Sequence, residues 1–250
     1  MVNLTISFKG DLKELLPAGK KRETHRLTIK GKRSAKDLVE SFGIPHTEVG
    51  RVLANERPAD LSYILHDGDW VAVYPAASGL KGSRGSTRDP GSGEVLLLCD
   101  EHLCKLCRRL RLLGFDAAMN RQWDDSQLAD ISEKEGRVLL SRDRGLLMRK
   151  KVTRGLLIRS TDTEEQVREV LDRLGLRSRC LPFSRCLRCA GLLQKIEKES
   201  DDFESIRNQI PERVLAWCRE YNRCLSCGQV YWKGSHYKKL AKKVKGYLDI

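Results

Sequence analysis

The sequence predicts an α/β fold in which a domain with a parallel sheet follows a small mixed module and precedes a cysteine-rich ribbon. Between residues 94 and 178, short apolar runs alternate with segments of helical periodicity. Residues 1–76 carry several strand patterns around one helix, and residues 179–250 carry two Cys-x-x-Cys pairs. Residues 77–93 are rich in Gly and Ser and are predicted to form a flexible linker.

Charge and composition narrow the class of partner and the compartment. The chain of 250 residues carries 47 Lys and Arg against 34 Asp and Glu, a formal net charge of +13. Such a surplus favours a polyanionic partner, nucleic acid before an anionic membrane surface. No apolar run approaches the roughly 20 residues of a membrane span, and the start lacks a signal-peptide pattern, so we expect a cytoplasmic protein. Nine cysteines, an odd number, favour metal ligation and buried thiols over disulfides.

The first module has the element order of a β-grasp. Two strand patterns lie within residues 2–29, Ser34 is the predicted N-cap of a helix over 35–41, and two further strand patterns lie within 49–75. This order resembles the sulfur-carrier branch of the ubiquitin fold. The chain continues beyond Ala76 without a terminal diglycine, so we expect no carrier function. We expect this ubiquitin-like module to bind a protein partner or to pack on the domain that follows.

Every strand pattern of the second domain is followed by an acid. The strand patterns and their acids are 95–99 with Asp100, 115–119 with Asp124 and Asp125, 138–141 with Asp143, and 155–159 with Asp162. In a parallel sheet the carboxyl ends of the strands lie along one edge. Carboxylates gathered there need a cation, and hard oxygen ligands favour Mg²⁺ or Mn²⁺. Two such ions can activate water and stabilise the leaving oxygen of a phosphodiester.

The acids also have an ordinary structural interpretation. Asp124, Asp125 and Asp162 stand where helix N-caps stand, so capping alone would explain them. Asp100 and Asp143 are the first candidates for a catalytic metal site, with Asp125 and Asp124 as further candidates.

Several arginines and two thiols lie close to these acids in the sequence. Leucines from 103 to 113 recur at helical spacing and leave Arg108 and Arg111 for a basic face that we expect to contact RNA. Arg142, beside Asp143, contacts phosphate or pairs with an acid. Cys104 and Cys107 have metal-like spacing, but on a helix, so we interpret them as core thiols.

Two pairs of cysteines predict a structural zinc site. Cys186 with Cys189 and Cys224 with Cys227 form two Cys-x-x-Cys knuckles, followed by Gly191 and Gly228. Two turns with paired thiolates match a tetrahedral Zn²⁺ site of the ribbon kind. A redox role would need a knuckle at a strand-to-helix turn, and neither pair has one. The sequence assigns no role to Cys180 and Cys218.

Aromatic and basic residues alternate after the second knuckle. Trp232, His236 and Lys238 lie in this stretch, which continues into further lysines. Aromatic rings stack on bases and lysines neutralise phosphates, so we expect RNA contact here. The alternative is an aromatic cover on the ribbon with a solvated basic tail.

Three segments carry a resemblance to a known family. They are residues 100–106, 110–116 and 137–147. Together with the ribbon and the N-terminal module, they resemble the Mut-seven carboxy-terminal ribonuclease family, a branch of the PIN-like nucleases with a zinc ribbon. The resemblance implies a PIN-like nuclease domain in which Asp100, Asp143 and an acid at Asp124 or Asp125 bind magnesium.

The sequence thus predicts a metal-dependent ribonuclease that hydrolyses RNA phosphodiester bonds with Mg²⁺ or Mn²⁺, and with Zn²⁺ as a structural ion. RNA is the predicted partner, with tRNA and rRNA or the ribosome as candidate classes, and no membrane partner is expected. The alternative is a non-catalytic RNA- or ribosome-binding protein that retains the nuclease fold.

Overall fold

The computed structural model describes residues 1–76 and 93–248. The chain divides into two compact units. The first consists of Met1–Gly93 and Gln122–Arg159, and the second consists of Glu94–Arg121 and Ser160–Ile250. Of the predicted linker over 77–93, residues 77–92 lie outside the described residues. The predicted domain boundaries, at 1–76, 94–178 and 179–250, stay a prediction; the two compact units are discontinuous in sequence and divide the chain at other positions. Within the described part, no helix has both the length and the apolar character that crossing a membrane requires.

The strands and helices of the described residues alternate along most of the chain. The strands are β1 (Val2–Phe8), β2 (Thr24–Ile29), β3 (Val49–Ala54), β4 (Arg57–Ala59), β5 (Trp70–Pro75), β6 (Leu96–Cys99), β7 (Asp116–Ala118), β8 (Val138–Ser141), β9 (Gly155–Leu157), β10 (Leu193–Glu197), β11 (Glu220–Cys224) and β12 (Val230–Trp232). The α-helices are α1 (Leu12–Leu15), α2 (Ala35–Ser41), α3 (Cys104–Leu112), α4 (Asp125–Glu135), α5 (Arg144–Leu147), α6 (Thr163–Arg173), α7 (Glu204–Arg207), α8 (Glu212–Leu215) and α9 (Ser235–Leu248).

The first unit contains the predicted β-grasp module. Its sheet has the strand order β2-β1-β5-β3-β4, with β1 and β5 parallel and the remaining pairs antiparallel. Helix α2 begins where predicted, since the Asp37 backbone N–H donates to Ser34 Oγ at 3.1 Å and the Ser34 N–H donates to Asp37 Oδ2 at 3.1 Å. This reciprocal capping box satisfies two of the N–H groups that a helix start leaves unpaired. The β-grasp prediction is confirmed.

The first unit also contains α4, β8, α5 and β9. Strands β8 and β9 pair in parallel, with Leu139 opposite Gly155. The β-grasp module packs directly on this segment: the buried carboxylate of Glu48 accepts the Leu157 N–H at 2.8 Å, and His46 Nε2 lies 2.8 Å from the Val152 carbonyl oxygen. Of the two roles expected for the module, the structure supports packing.

The second unit combines one parallel strand pair with the ribbon. Strands β6 and β7 are parallel, with Leu97 opposite Ala117, and α3 packs its leucines inward. The ribbon is an antiparallel sheet with the order β10-β11-β12. The chain between its two knuckles forms β10, α7 and α8 and leads into β11, with a core around Phe203, Ile206 and Tyr221. These parallel pairs, the β-grasp sheet and the ribbon confirm the predicted α/β class.

Candidate metal centre and strand-end carboxylates

Four cysteine sulfurs converge in the second unit. The Sγ atoms of Cys186, Cys189, Cys224 and Cys227 all lie within 4.8 Å of one another. Cys186 Sγ is 3.6 Å from Cys227 Sγ, and Cys189 Sγ is 3.5 Å from Cys224 Sγ. Four sulfurs at about 2.3 Å from a tetrahedral Zn²⁺ are about 3.8 Å apart. The cluster therefore fits a structural metal ion such as zinc, as the spacing predicts.

Each knuckle is a tight turn closed by backbone hydrogen bonds. The Cys186 N–H donates to the Gly191 carbonyl at 2.8 Å, and the Gly228 N–H donates to the Cys224 carbonyl at 3.0 Å. Gly228 has a φ of 72°, which favours glycine. Gly191 is needed for a different reason: a Cβ atom there would lie 2.4 Å from Ser226 Oγ and 2.9 Å from Cys224 Sγ. Gly191 therefore allows the two knuckles to approach each other.

The thiol of Cys186 is prepared for ionisation. Its burial opposes the thiolate, but the Tyr231 hydroxyl, 3.1 Å from Sγ, and the N–H groups of Cys189 and Arg188 lower the pKa of Cys186 to about 7. Because the thiolate is the form that binds a metal, these donors favour ligation near neutral pH.

Arg111 holds the first knuckle and is not on an exposed face. Its Nε donates to the Ala117 carbonyl at 2.8 Å, and its Nη1 donates to the carbonyls of Leu187 at 3.2 Å and Arg188 at 2.6 Å. The side chain is 5% exposed. The predicted RNA contact of Arg111 is therefore corrected to a structural role, whereas Arg108 is exposed as predicted. The helical phase gave a signal, because Arg111 lies one turn after the buried Cys107 on the border of the leucine face.

The other cysteines are packed or hydrogen-bonded thiols. Cys107 is buried, with Sγ 3.4 Å from the Ala117 carbonyl, and Cys104 is half-buried. Cys218 belongs to the ribbon core, and its Sγ lies 3.2 Å from the Glu220 carbonyl. Cys180 Sγ lies 3.5 Å from the Leu176 carbonyl. These contacts account for Cys107, Cys180 and Cys218, and Cys99, the last residue of β6, is also buried.

Three of the predicted acids lie in the first unit, each at a helix start. Asp143 follows β8 and caps α5, with Oδ1 accepting the N–H of Gly145 at 2.6 Å and of Leu146 at 3.3 Å. Asp124 caps α4 through the Gln127 N–H at 2.8 Å. The first residue of α4, Asp125, lies 3.4 Å from Arg149 Nη2. Asp124 and Asp143 are exposed, as is Arg142 beside Asp143.

Asp100 lies in the second unit and is buried, at 5% exposure. It follows β6, and its Oδ1 accepts the His102 N–H at 2.9 Å at the start of a 3₁₀ turn. Asp162 caps α6 in the same way, through the N–H groups of Glu164 and Glu165. The group of potential metal ligands that the described residues bring together consists of the four cysteines, and the predicted carboxylates are not part of it. Their joint binding of an ion stays a prediction.

Two of the three residues predicted to contact RNA after the second knuckle share a cavity. Trp232 and His236 line a cavity of 290 Å³ in the second unit, together with Lys195 and Asn222. Lys238 is exposed on α9 and is not among the lining residues. The contributions of β10 and β11 were missed, because residues 195 and 222 meet only through the antiparallel pairing of those strands.

Two family models together match most of the chain. The model described as the Mut7-C RNAse domain matches residues 96–244, and the model described as Mut7-C ubiquitin matches residues 1–81. No curated protein matches the chain.

Among solved structures, the chain is similar to a putative molybdopterin converting factor, subunit 1, from Pyrococcus furiosus. The identity is 18% over 31% of this chain and 100% of that chain, with a TM-score of 0.25. It is also similar to SAMP1 from Haloferax volcanii, with 25% identity over 31% of this chain and 98% of that chain and a TM-score of 0.25. The match over residues 96–244 covers more than half of the chain, which therefore belongs to the Mut7-C RNAse domain family.

Proposed function

We propose that this protein is a metal-dependent ribonuclease, in which Asp100, Asp143 and Asp125, with Asp124 beside it, hold Mg²⁺ or Mn²⁺ and RNA is the substrate. The family match supports a ribonuclease-type function. The observation that carries the metal site is Asp143, an exposed carboxylate two positions after the end of the parallel strand β8.

The donors of this proposed site fit a hard divalent cation. Both cap hydrogen bonds of Asp143 go to Oδ1, which leaves Oδ2 for a cation. Carboxylate oxygens are the ligands that Mg²⁺ and Mn²⁺ prefer. When bound, such an ion would supply water activation and charge stabilisation for phosphodiester hydrolysis.

In this proposal, residues of the chain orient the metal-binding carboxylate and attract the RNA. The N–H groups of Gly145 and Leu146 hold the Asp143 carboxylate in one orientation before substrate arrives, so no reorganisation is needed during reaction. Arg142 is adjacent and exposed, and in this proposal it contacts a phosphate of the RNA. The net charge of +13 increases the rate at which RNA associates.

We also propose that the cysteine cluster holds Zn²⁺ as a structural ion. Four protein sulfurs complete a tetrahedral shell and leave no position for water or substrate. In this proposal the ion ties the first knuckle, at Cys186, to the second, at Cys224, and takes no part in hydrolysis.

The test compares two conservative aspartate variants. Asparagine remains a good N-cap, so Asp143→Asn keeps α5 capped but removes a charged ligand. Asp162→Asn makes the same chemical change at a matched cap, that of α6. Cleavage of a panel of cellular RNAs is measured in a buffer from which divalent metals have been removed, before and after Mg²⁺ or Mn²⁺ is added. No chelator is used, because a chelator would also remove the metal ion from the cysteine cluster. We expect Asp143→Asn to lose cleavage by at least about 100-fold while RNA binding is retained, and Asp162→Asn to cleave normally.

One outcome would overturn the proposed function. If the wild-type protein, purified free of contaminating nuclease, binds RNA but does not cleave it with either metal, the protein is a non-catalytic RNA-binding protein. Equal cleavage by Asp143→Asn and the wild type would remove Asp143 from the site.

A further inference from the structure

The 290 Å³ cavity of the second unit has aromatic walls, and one of its lining residues, Tyr231, contacts the cysteine cluster. Phe183, Tyr231, Trp232 and Tyr237 supply these walls. The ring centroids of Phe183 and Tyr237 lie 4.6 Å apart, with 38° between the ring planes. Flat aromatic faces of this kind are surfaces on which nucleobases stack.

One side of the cavity is polar, because three strands present side chains at matched positions. Asn222 of β11 pairs with Lys195 of β10 and with Tyr231 of β12. Lys195 Nζ donates to Glu197 at 2.8 Å and to Glu220 at 2.9 Å, and Lys233 Nζ donates to Glu220 at 3.1 Å, so these carboxylates hold both ammonium groups at the cavity. Within residues 1–76 and 93–248, the Asn222 carboxamide has no hydrogen-bond partner. It can therefore donate to and accept from a ligand.

Size and charge together select the ligand. A volume of 290 Å³ is near the lower end of the range of about 300 to 1,000 Å³ for small-molecule pockets, which suits one nucleotide and not a run of them. A base that is paired and stacked in an A-form duplex cannot enter such a recess. Exposed lysines continue along α9 and would neutralise the adjoining phosphates; they are Lys238, Lys239, Lys242 and Lys245.

We propose that this cavity binds one unpaired nucleotide of the RNA. The base stacks among the aromatic walls, its edge hydrogen-bonds with Asn222, and its phosphate lies near Lys195 and Lys233. The choice of RNA as ligand rests on the proposed function, but the inference concerns binding and is measured without cleavage.

The cavity is also connected to the cysteine cluster. The hydroxyl of Tyr231, one of the wall residues, lies 3.1 Å from Cys186 Sγ. An ordered cluster therefore helps to fix one stacking surface, and the test must use protein whose cluster is intact.

The test uses the full chain carrying Asp143→Asn, so that the RNA survives. Fluorescence anisotropy measures binding of a labelled single-stranded hexanucleotide and of a blunt RNA duplex. Adding Tyr237→Ala or Asn222→Ala should weaken single-strand binding, by about tenfold for the lost stacking surface, and leave duplex binding unchanged. Tyr237→Phe retains the ring and should bind the single strand as the parent does.

A neighbouring residue provides the matched control. Lys238 follows Tyr237 on α9 but does not line the cavity. Lys238→Ala should weaken single-strand and duplex binding alike and reduce the salt dependence, with a slope change of about 1. Metal content and the thermal unfolding midpoint verify that each variant is folded. If Tyr237→Ala does not fold, the test is made with Asn222→Ala.

Two results would overturn the inference: unchanged single-strand binding in Tyr237→Ala and Asn222→Ala, or an equal loss of single-strand and duplex binding. The two proposals fail separately. A wild-type protein that never cleaves RNA, but whose preference for single strands depends on Tyr237 and Asn222, loses the ribonuclease function and keeps the nucleotide site. An active ribonuclease whose Tyr237→Ala variant shows no change in that preference loses only the nucleotide site.

Discussion

The cysteine cluster and the strand-end acids were both predicted from their positions in the sequence. Among the described residues, the structure brings the four cysteines together, but it does not bring the acids into one group of ligands. The sulfurs of Cys186 and Cys227 lie 3.6 Å apart although 41 positions separate the residues. In contrast, one carboxylate oxygen of each acid accepts a hydrogen bond from a nearby backbone N–H, as seen at Asp124, Asp143 and Asp100. The thiols are arranged around a common point, whereas each acid is arranged around its own helix start.

The difference has a physical origin. A Cys-x-x-Cys turn places two sulfurs side by side by local backbone geometry alone, so only the meeting of two turns is left to the fold. A carboxylate after a strand precedes a helix in any α/β chain, and helix starts favour carboxylates for capping and through the helix dipole. Position at a strand end is therefore weaker evidence for a metal ligand than a paired knuckle.

The largest expected effect follows from Cys186→Ser, which removes one sulfur from the cluster. Metal binding at such sites contributes roughly 10 kcal/mol to folding, so we expect loss of the bound metal and of the ordered ribbon core around Tyr221. Elemental analysis and thermal unfolding measure both. Cys180→Ser, outside the cluster, is the control and should keep the metal. A Cys186→Ser protein with full metal content and an unchanged midpoint would show that the cluster is not a structural metal site.

Glu48 is a buried carboxylate whose contacts are structural, and it can be compared with the strand-end acids. It is 1% exposed, accepts the Leu157 N–H at 2.8 Å and lies 3.4 Å from Arg159 Nη2. Glu48→Ala should reduce the free energy of unfolding by about 2 kcal/mol, because it removes a buried, charge-assisted hydrogen bond to the Leu157 N–H and the ion pair with Arg159. Urea denaturation measures this change. Glu14 also pairs with Arg159, at 3.7 Å, but is 74% exposed, so Glu14→Ala should change stability little. Equal effects of the two variants would contradict this account of the packing.

Particular residues show how far the sequence could predict this structure. Ser34 and the helix after it were predictable because a capping box is local. The knuckles were predictable for the same reason. Arg111 was placed on the wrong surface, since two of its three carbonyl partners lie 76 and 77 positions away. Asn222 was not recognised as a cavity residue, because only the pairing of β10, β11 and β12 brings its neighbours to it.

A pair of variants at one position separates capping from metal binding. Asp143→Ala removes the cap of α5 and should lower the free energy of unfolding by about 1 kcal/mol. Asp143→Asn should change stability by much less, because the side-chain oxygen still accepts the N–H of Gly145. Urea denaturation gives the two stabilities, and both variants should lose cleavage. If Asp143→Asn kept full cleavage and only Asp143→Ala lost it, Asp143 would be a cap and not a ligand.

The smallest effect is expected at Arg144, which connects the ubiquitin-like module to the helix that Asp143 caps. Arg144 Nη1 donates to the carbonyls of Leu15 at 2.8 Å and Gly43 at 3.0 Å. Arg144→Met removes both hydrogen bonds and loosens α5, so we expect the Mg²⁺ concentration for half-maximal cleavage to rise by about threefold. Arg144→Lys, which can still donate, should recover part of the loss.

The control for this positioning role is Lys151, which pairs with Asp130 at 2.6 Å on the surface of the same unit. Lys151→Met should leave the Mg²⁺ dependence unchanged. If Arg144→Met lowers the free energy of unfolding but cleaves with the wild-type Mg²⁺ dependence, the ubiquitin-like module stabilises the fold without positioning Asp143. A shifted Mg²⁺ dependence at unchanged stability would instead mean that Asp143 needs support beyond its cap, and the strand-end acids would then resemble the cysteine cluster in depending on distant parts of the chain.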